Sequence, residues 1–529
     1  MKKLTPYTTT AITAVAIAAF AVTSAYGYDT KSYPKDNKVH VRAPVAGDFK
    51  PGMGGGQLQK PHGWNFDIFI TDANNNNNDP NKGGGNEDGI AINPRHINEV
   101  VITSFAFPDD FMPKIPIWVS NNDGQSWDRD ISINAPTGID FTGFSADMNG
   151  DYTIDRGLAY TTLAEHPVQG LTSAVYASLT KNPATGPFNW FAPNGVAEPA
   201  NHLGNANNVD QPWLLVGPIP DPAGSVVSEN VYVAYDDFQH GIVRVAVAPA
   251  SDPLQFNVDN PVGVFDGGVN PGHRLAIDKD SGTVYSAWEN SPGPGSGQSQ
   301  NVNYMLNRST DGGTTWTLNG QNQGITVANA DSTQVFPKFC TVNSLRGGAD
   351  HIAVDPTNGD LVYVYGTRDP NTGSERLALR RLTDDGNGGL KVSDENIFVD
   401  GDNVQAAIPS IAINDDGVIG VFYYTCEGID QQSGFPAFAA HFDISTDGGN
   451  TFGSRNVLEQ FLSTETDDGG VFQRVLGDYM QVKAVGETFF ASYVGNGINY
   501  GRNVSIMDPI YFNVAVDLNQ ERKKKIARR

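Results

Sequence analysis

The sequence predicts an all-β protein that forms a single β-propeller, and three observations support this fold class. The 529 residues include 58 Gly and 32 Pro, and no long amphipathic helix pattern is present. A short apolar run, a turn rich in Asp, Asn, Gly or Pro, and a second apolar run with aromatic residues recur along the chain. Each copy is typical of two antiparallel strands joined by a tight turn. The copies are spaced as four-stranded blades would be.

The number of copies predicts the number of blades. Six copies are readable, beginning at Ile90, Trp213, Leu275, Ile352, Ile411 and Met480. The last five starts lie 59 to 77 residues apart, whereas the first step covers 123 residues and so spans about two units. A degenerate copy is therefore expected near residue 150, where the stretch DYTIDRGLAYTTL begins at Asp151. We predict seven four-stranded blades, with six as the alternative because the copy at Asp151 is weak.

Three turn sequences follow three of these copies. They read STDGGTTW at Ser309–Trp316, STDGGNTF at Ser445–Phe452 and, more loosely, SNNDGQSW at Ser120–Trp127. With these motifs the chain resembles the Asp-box, or BNR-repeat, propellers of the sialidase-like superfamily over nearly all of its mature length. The resemblance implies that each box is a hairpin between the third and fourth strands of a blade. The Asp accepts turn N–H groups and Gly permits positive φ, so these residues are predicted to be structural.

The two ends of the chain differ from the repeats. Residues 1–27 have a charged start at Lys2 and Lys3, an apolar stretch and small residues before a cleavage point, which predicts a signal peptide. Residues 28–63 are predicted to be irregular, residues 64–518 to form the propeller, and residues 519–529 to form a basic tail. The strand-like stretch from Trp64 is expected to complete the last blade and close the ring. The protein is therefore expected to be secreted, periplasmic or on the cell surface.

The net charge excludes some partners. It is −24, although the tail from Arg522 to Arg529 carries six basic residues. An acidic body repels nucleic acid, and no segment after the signal peptide is apolar enough to span a membrane. We expect a monomer whose partner is an extracellular glycan or a surface protein.

Carboxylates recur at one register of the repeat. They stand before first strands or after second strands, positions that meet at the top centre of a propeller, where ligands usually bind. The predicted catalytic residues are Asp88, Asp210, Glu289, Asp350 and Asp478, with Tyr479 as a reserve nucleophile. Asp236, Asp237, Asp369 and Glu427 share this register. Arg274, Arg368 and Arg474 are the predicted substrate-binding residues.

One stretch resembles a calcium loop. Asp147, Asn149, Asp151 and Asp155 place oxygen atoms at positions one, three, five and nine, as in an EF-hand loop. Tyr152 and Leu158 stand where that loop requires Gly and a bidentate acid, so an ordinary blade turn is the alternative. Calcium is the one cofactor that the sequence suggests.

The two cysteines, Cys340 and Cys426, fall in neighbouring repeat units. Cys340 precedes a first strand and Cys426 ends a second strand, so both belong near the top face. In an oxidising compartment this placement predicts a disulfide between them, and two free thiols are the alternative.

The resemblance to sialidases stops short of the catalytic residues. That family binds a substrate carboxylate with three Arg and carries its first Arg in an R-I-P motif, but the matching position reads Glu87-Asp88-Gly89-Ile90. The expected function is processing or binding of extracellular carbohydrate. If the protein is an enzyme, it is expected to be a glycoside hydrolase or polysaccharide lyase that uses carboxylates at the mouth, the top centre of the propeller, as acid and base. The alternatives are a non-catalytic module that binds glycan, protein or calcium, and a structural surface protein.

Overall fold

The structure is a computed structural model. It describes residues 57–59, 68–73, 85–106, 117–130, 133–136, 145–155, 157–165, 173–191, 203, 208–220, 226–266, 271–294, 300–332, 338–339, 342–343, 350–369, 371, 375–394, 396–399, 405–430, 435–452, 457–463, 476–477, 480–495 and 508–516. Within these ranges every regular element is a β-strand. The same ranges contain no helix long and apolar enough to cross a membrane.

Two strands, β1 (Gln57–Gln59) and β2 (Ile68–Asp72), come before the first complete blade. Blade 1 contains β3 (Gly85–Ile92), β4 (Val100–Ala106), β5 (Ile117–Ser120) and β6 (Asp128–Asp130). Blade 2 contains β7 (Ser145–Tyr152), β8 (Leu158–Glu165), β9 (Ser173–Thr180) and β10 (Asn189–Trp190). Blade 3 contains β11 (Val209–Pro220), β12 (Val226–Asp237), β13 (Ile242–Pro249) and β14 (Val258–Val264).

The second half of the chain continues the same pattern. Blade 4 contains β15 (Arg274–Ile277), β16 (Val284–Pro294), β17 (Gln300–Ser309) and β18 (Ile325–Ser332). A small hairpin follows, made of β19 (Lys338–Phe339) and β20 (Val342–Asn343). Blade 5 contains β21 (Asp350–Val354), β22 (Leu361–Arg368), β23 (Glu375–Asp384) and β24 (Leu390–Val392), and β25 (Ile397–Phe398) also pairs with β23. Blade 6 contains β26 (Gln405–Ile413), β27 (Ile419–Ile429), β28 (Pro436–Ser445) and β29 (Val457–Leu462).

Blade 7 joins the two ends of the chain. Its strands are β30 (Gln481–Val485), β31 (Thr488–Gly495) and β32 (Asp508–Ala515), and β2 adds to β32 as the fourth strand. Phe69 pairs with Asn513 and Asp72 with Ile510, and β1 extends the same sheet outward. The predicted closure of the ring by the stretch after Trp64 is therefore confirmed. The seven antiparallel blades form a β-propeller, and the weak copy at Asp151 is blade 2.

Local sequence explains the hairpins within each blade. In the turns that follow the first strands, a polar side chain caps the loop: Asp355 accepts the Thr357 N–H at 2.9 Å, and Asn414 accepts the Val418 N–H at 2.9 Å. The flanking strands are buried on both faces because each blade is packed between two others. Clusters of buried apolar residues accordingly lie between neighbouring blades, as between blades 6 and 7 around Phe422, Phe442, Tyr493 and Phe512.

The three box turns lie between the third and fourth strands of blades 1, 4 and 6. In blade 4, Asp311 accepts the Thr315 N–H at 2.8 Å and the Thr315 hydroxyl at 2.7 Å, and Ser309 Oγ accepts the Gly313 N–H at 2.9 Å. Asp447 accepts the same two groups of Thr451 in blade 6. Asn122 takes this role in blade 1 and accepts the Ser126 N–H at 2.9 Å. The boxes are structural turns at the edge opposite to the starts of the first strands.

Candidate functional site

One register position of the inner strands organises the centre of the propeller. The inner strands are β3, β7, β11, β15, β21, β26 and β30, and each packs against the next around the ring. One residue of each is paired with the second strand at the same level. We name these seven residues the ring positions: Gly89, Asn149, Trp213, Arg274, His351, Ser410 and Gln481.

In blades 6, 7 and 2 the side chain at the ring position bonds to the next inner strand. Ser410 Oγ accepts the Val482 N–H at 2.9 Å, Gln481 Oε1 accepts the Ile90 N–H at 3.0 Å, and Asn149 Oδ1 accepts the Leu214 N–H at 3.0 Å. These three side chains supply acceptors to backbone groups that the sheets leave unpaired. In blade 1 the ring position is Gly89, where a Cβ would lie 2.5 Å from Thr103 Oγ1, so a larger residue would not fit.

In blades 3, 4 and 5 the ring positions contact one another. The Arg274 guanidinium carbon lies 4.4 Å from the centroid of the Trp213 ring, and the Trp213 and His351 rings meet edge to face at 5.4 Å. All three side chains are buried, and His351 is only 4% exposed. Burying a cation and an imidazole is unfavourable unless the site compensates for the lost hydration. This part of the centre therefore departs from a purely structural packing.

Four of the inner strands have a β-bulge just before the ring position. In blades 1, 2, 3 and 6 one extra residue interrupts the pairing of the first two strands. The bulge residues Glu87, Asp147, Gln211 and Ile408 have φ between 50° and 59°, a left-handed conformation that is unfavourable for non-glycine residues. Bulges of this kind redirect side chains and are frequent beside active sites.

Where the structure describes them, the carboxylates predicted from the repeat lie at the edge at which first strands begin and second strands end. Asp88 is on β3, Asp210 on β11 and Glu289 on β16, while Asp236 and Asp237 end β12. Asp350 opens β21, but its side chain lies outside the described residues. Asp478, Tyr479 and Arg474 also lie outside them, and Arg368 ends β22. The catalytic and substrate-binding roles of this set remain predictions.

A cross-strand pair of carboxylates stands at the mouth of blade 3. Asp210 and Asp236 are directly opposed on β11 and β12, so their side chains leave the same face of the sheet. Asp210 is partly exposed, whereas Asp236 is fully buried. Behind Asp236, His273 Nδ1 lies 3.8 Å from Oδ1, and His273 Nε2 lies 2.6 Å from Ser286 Oγ. The next residue, Asp237, binds the exposed His240 at 2.8 Å instead.

Two buried histidines of blades 4 and 5, His273 and His351, are neutral at physiological pH. Burial lowers the pKa of His273 to about 3; the Arg274 charge adds to this effect, and a hydrogen bond to the Tyr235 backbone opposes it. Burial lowers the pKa of His351 to about 3 as well, again with help from the Arg274 charge. Neither imidazole therefore neutralises a carboxylate by ion pairing, and both remain available for hydrogen bonding.

Asp88 serves a different region, the contact between blades 1 and 7. Its Oδ2 accepts the Ser492 hydroxyl at 2.9 Å, and Ser492 belongs to β31 of blade 7. Burial raises the pKa of Asp88 to about 7, and hydrogen bonds from Ser104 and Ser492 reduce the effect. The structure thus places Asp88 at the contact between blades 1 and 7, away from the Asp210–Asp236 pair of blade 3, and its catalytic role remains a prediction.

Several functional candidates were missed by sequence reasoning. The sequence has no closely spaced histidines, yet His273 and His351 occupy adjacent blades, and Trp213 contacts both Arg274 and His351. Ser286 comes to His273 across the β15–β16 pair. An alignment of the repeat copies could have pointed to this contact, because Arg274 and His351 each stand directly before the apolar start of a copy.

The calcium stretch does not gather its oxygen atoms around one point. Asp147, Asn149 and Asp151 lie along β7, and Asp151 binds Lys483 Nζ at 2.6 Å and accepts the Val216 N–H at 2.9 Å. Asp155 forms an ion pair with Arg95 at 2.8 Å. No group of three or more metal-binding side chains occurs within the described ranges. These contacts fit an ordinary blade hairpin, and calcium binding by this stretch remains a prediction.

The cysteines are described only in part. Cys426 lies on β27 and is disulfide-bonded. Cys340 lies outside the described residues, between β19 and β20. The pairing of Cys340 with Cys426 therefore stays a prediction, although the sequence contains only two cysteines.

Comparisons with known proteins find no matching family model and no matching curated protein. Among solved structures, the α-L-arabinofuranosidase Arb93A from Fusarium graminearum is 14% identical, with 78% of this chain and 98% of that chain covered and a TM-score of 0.40. The polysaccharide lyase Uly1 is 12% identical, with coverages of 79% and 88% and a TM-score of 0.43. The Penicillium chrysogenum α-L-arabinanase is 11% identical, with coverages of 58% and 94% and a TM-score of 0.32. Values this low carry no argument about activity.

Proposed function

We propose that this protein is an exported carbohydrate-processing propeller that cleaves neutral glycans at the mouth formed by blades 3 to 5. The observation that carries the proposal is the Asp210–Asp236 pair with His273 behind it. Two carboxylates that leave the same face of a sheet at opposed positions disfavour each other's ionisation, and in this proposal they share one proton. A shared proton beside a partly exposed carboxyl group is what general acid catalysis of glycoside cleavage requires.

The two carboxylates have different roles in this proposal. Asp210, which is partly exposed, contacts the substrate and donates the shared proton to the glycosidic oxygen as the bond to the anomeric carbon breaks. Asp236, which is buried, retains the negative charge at that moment. Attack of water on the anomeric carbon completes hydrolysis, and the proton that this water releases restores the pair.

Charge supports a neutral substrate. The protein carries a net charge of −24, and no Arg occupies the position where sialidases have their first Arg, which here reads Glu87 and Asp88. An acidic protein disfavours the approach of a carboxylated sugar, whereas neutral sugars bind through hydrogen bonds and through the faces of aromatic rings.

We further propose that the chain belongs among the Asp-box propellers, on the strength of three box turns with matching hydrogen bonds in blades 1, 4 and 6. Export rests on the pattern of residues 1–27, which lie outside the described residues. Binding of a glycan without cleavage, by the same mouth, is the alternative that the experiment below distinguishes.

The test compares hydrolysis and binding on one glycan panel that contains neutral and acidic polysaccharides. Asp210→Asn and Asp236→Asn are each expected to reduce turnover of the best neutral substrate by at least about 100-fold, the usual contribution of a general acid. Asp237→Asn is the matched control, because it changes the next carboxylate on β12, whose partner is His240. Binding without turnover in the wild type would identify a binding module, and full activity in both variants would exclude this pair.

A further inference from the structure

A line of three buried polar groups crosses blades 3 and 4 behind the proposed site. Ser286 on β16, His273 just before β15, and Asp236 on β12 are all fully buried. Ser286 Oγ lies 2.6 Å from His273 Nε2, and His273 Nδ1 lies 3.8 Å from Asp236 Oδ1. A hydroxyl, an imidazole and a carboxylate therefore follow one another along the two nitrogens of one ring, and the bond at the Ser286 end is a hydrogen bond.

We propose that His273 is a positioning residue for Asp236, held by Ser286 as the tautomer with its proton on Nδ1. In this arrangement the Ser286 hydroxyl donates to Nε2, so the remaining ring proton is on Nδ1, with Asp236 Oδ1 at 3.8 Å and the Tyr235 backbone, which also bonds the ring, as its acceptors. The tautomer is inferred from the partners, because a neutral imidazole has one donor nitrogen, the Asp236 carboxylate faces Nδ1 as an acceptor, and the Ser286 hydroxyl is able to donate to Nε2. The catalytic part of this inference rests on the proposed function, whereas the tautomer does not.

A neutral partner suits a carboxylate that must share a proton. A cation at the same distance would hold Asp236 ionised, whereas a neutral N–H orients the carboxylate and leaves it able to accept a proton. Arg274 is a cation next to His273 in sequence, and its guanidinium lies over the Trp213 ring and donates to the His273 carbonyl at 3.0 Å. Arg274 also disfavours a proton on His273 by charge repulsion, which keeps the imidazole neutral.

The groups around His273 are known on each side. On its own segment Arg274 follows it, from β12 come Asp236 and the Tyr235 backbone, and from β16 come Ser286 and the Trp288 ring, whose centroid lies 6.5 Å away. The gap of 3.8 Å to Asp236 is longer than a hydrogen bond. Catalytic hydrogen bonds are often long without substrate and shorten in the complex.

The tautomer can be measured without any substrate. Protein labelled with ¹⁵N in histidine is compared as wild type, Ser286→Ala and Asp236→Asn, with the His273 signals assigned from His273→Gln. In the wild type we expect Nδ1 to carry the proton and Nε2 to be the unprotonated nitrogen. In Ser286→Ala, loss of the donor to Nε2 should weaken or reverse this preference. A proton on Nε2 of the wild type would overturn the proposal, because Ser286 would then accept rather than donate.

Activity supplies the second readout. Ser286→Ala removes one oxygen atom and is expected to lower kcat by roughly 10- to 100-fold with KM within about twofold, as is usual for partners that orient a reacting group. Thr283→Ala, a change of another hydroxyl on the turn before β16, is the control. Unchanged kcat in Ser286→Ala together with inactive Asp236→Asn would refute the positioning role but not the proposed function. An active Asp236→Asn enzyme would refute the proposed function while the tautomer result still stands.

Discussion

Two arcs of the same ring use one register position in opposite ways. In the arc of blades 6, 7, 1 and 2, Ser410, Gln481 and Asn149 accept a backbone N–H from the next inner strand, and Gly89 leaves room. In the arc of blades 3, 4 and 5, the ring positions contact side chains instead. The backbone of the repeat is therefore alike in both arcs, whereas the side chains at the ring positions form different contacts.

The difference shows which arc has residues at the ring positions that stability alone does not explain. The first arc satisfies buried backbone donors with short polar side chains, which is what stability alone would select. The second arc buries the Arg274 cation beside His351, while Asp236 and His273 stand close to them. Departures of this kind concentrate at functional sites. We therefore expect variants in the two arcs to differ in both stability and activity.

The largest effect on stability is expected from Trp213→Ala in the second arc. The indole is fully buried and contacts both Arg274 and His351. Its removal therefore opens a cavity beside the Arg274 guanidinium and removes the ring that this cation lies over. We expect the free energy of unfolding to fall by about 5 kcal/mol, the upper end for a buried tryptophan. Denaturant unfolding measures it, with the half-buried Trp190 of β10 as the control. Equal losses in Trp213→Ala and Trp190→Ala would show that the ring cluster has no special energetic role.

The second prediction concerns Asp88, in the first arc. Its pKa is raised from 3.8 to about 7 by burial, so the folded state holds a proton that the unfolded chain releases above pH 4. The contribution of Asp88 to the free energy of unfolding should therefore be greatest below pH 4, fall as pH rises from 4 to 7, and stay level above 7. The total loss is about 4 kcal/mol for this group.

Asp88→Asn isolates this contribution, because the amide keeps the shape and cannot ionise. Unfolding free energies of both proteins are measured from pH 4 to 8, and the difference between them cancels the other titrating groups. We expect the Asp88→Asn variant to gain stability relative to the wild type as pH rises, with most of the change between pH 4 and 7. A difference that does not vary with pH would contradict the raised pKa of Asp88.

The smallest effect is expected from Ser410→Ala. The Val482 N–H loses its acceptor and stays buried, which costs about 1–2 kcal/mol. Thr446→Ala, at an exposed position in the box turn of blade 6, is the control and should change stability by less than about 0.5 kcal/mol. Hydrogen exchange at Val482 provides a local measure, and unchanged protection in Ser410→Ala would mean that the bond between blades 6 and 7 is dispensable.

Much of the fold was predictable from the sequence because its determinants are local. The paired apolar runs with Asp, Asn or Gly between them define each hairpin over a short stretch of chain. In the box turn of blade 4, Ser309 accepts the Gly313 N–H and Asp311 accepts the Thr315 N–H, each from four residues further on. The register of Asp210 and Asp236 also followed from the repeat, since the hairpin places the start of a first strand opposite the end of a second. Even the closure by β2 could be anticipated from an unpaired strand pattern before blade 1.

The sequence by itself thus determined the blade count, the box turns and the edge on which the carboxylates lie. Only the tertiary structure decided which blades face one another and which side chains meet between them. Ser492 reaches Asp88 across 404 positions of sequence, and Lys483 reaches Asp151 across 332. Trp213, Arg274 and His351 are likewise supplied by three separate blades. The physical reason is that hairpin formation depends on neighbouring residues, whereas contacts between blades depend on the curvature of the closed ring, which no local pattern encodes.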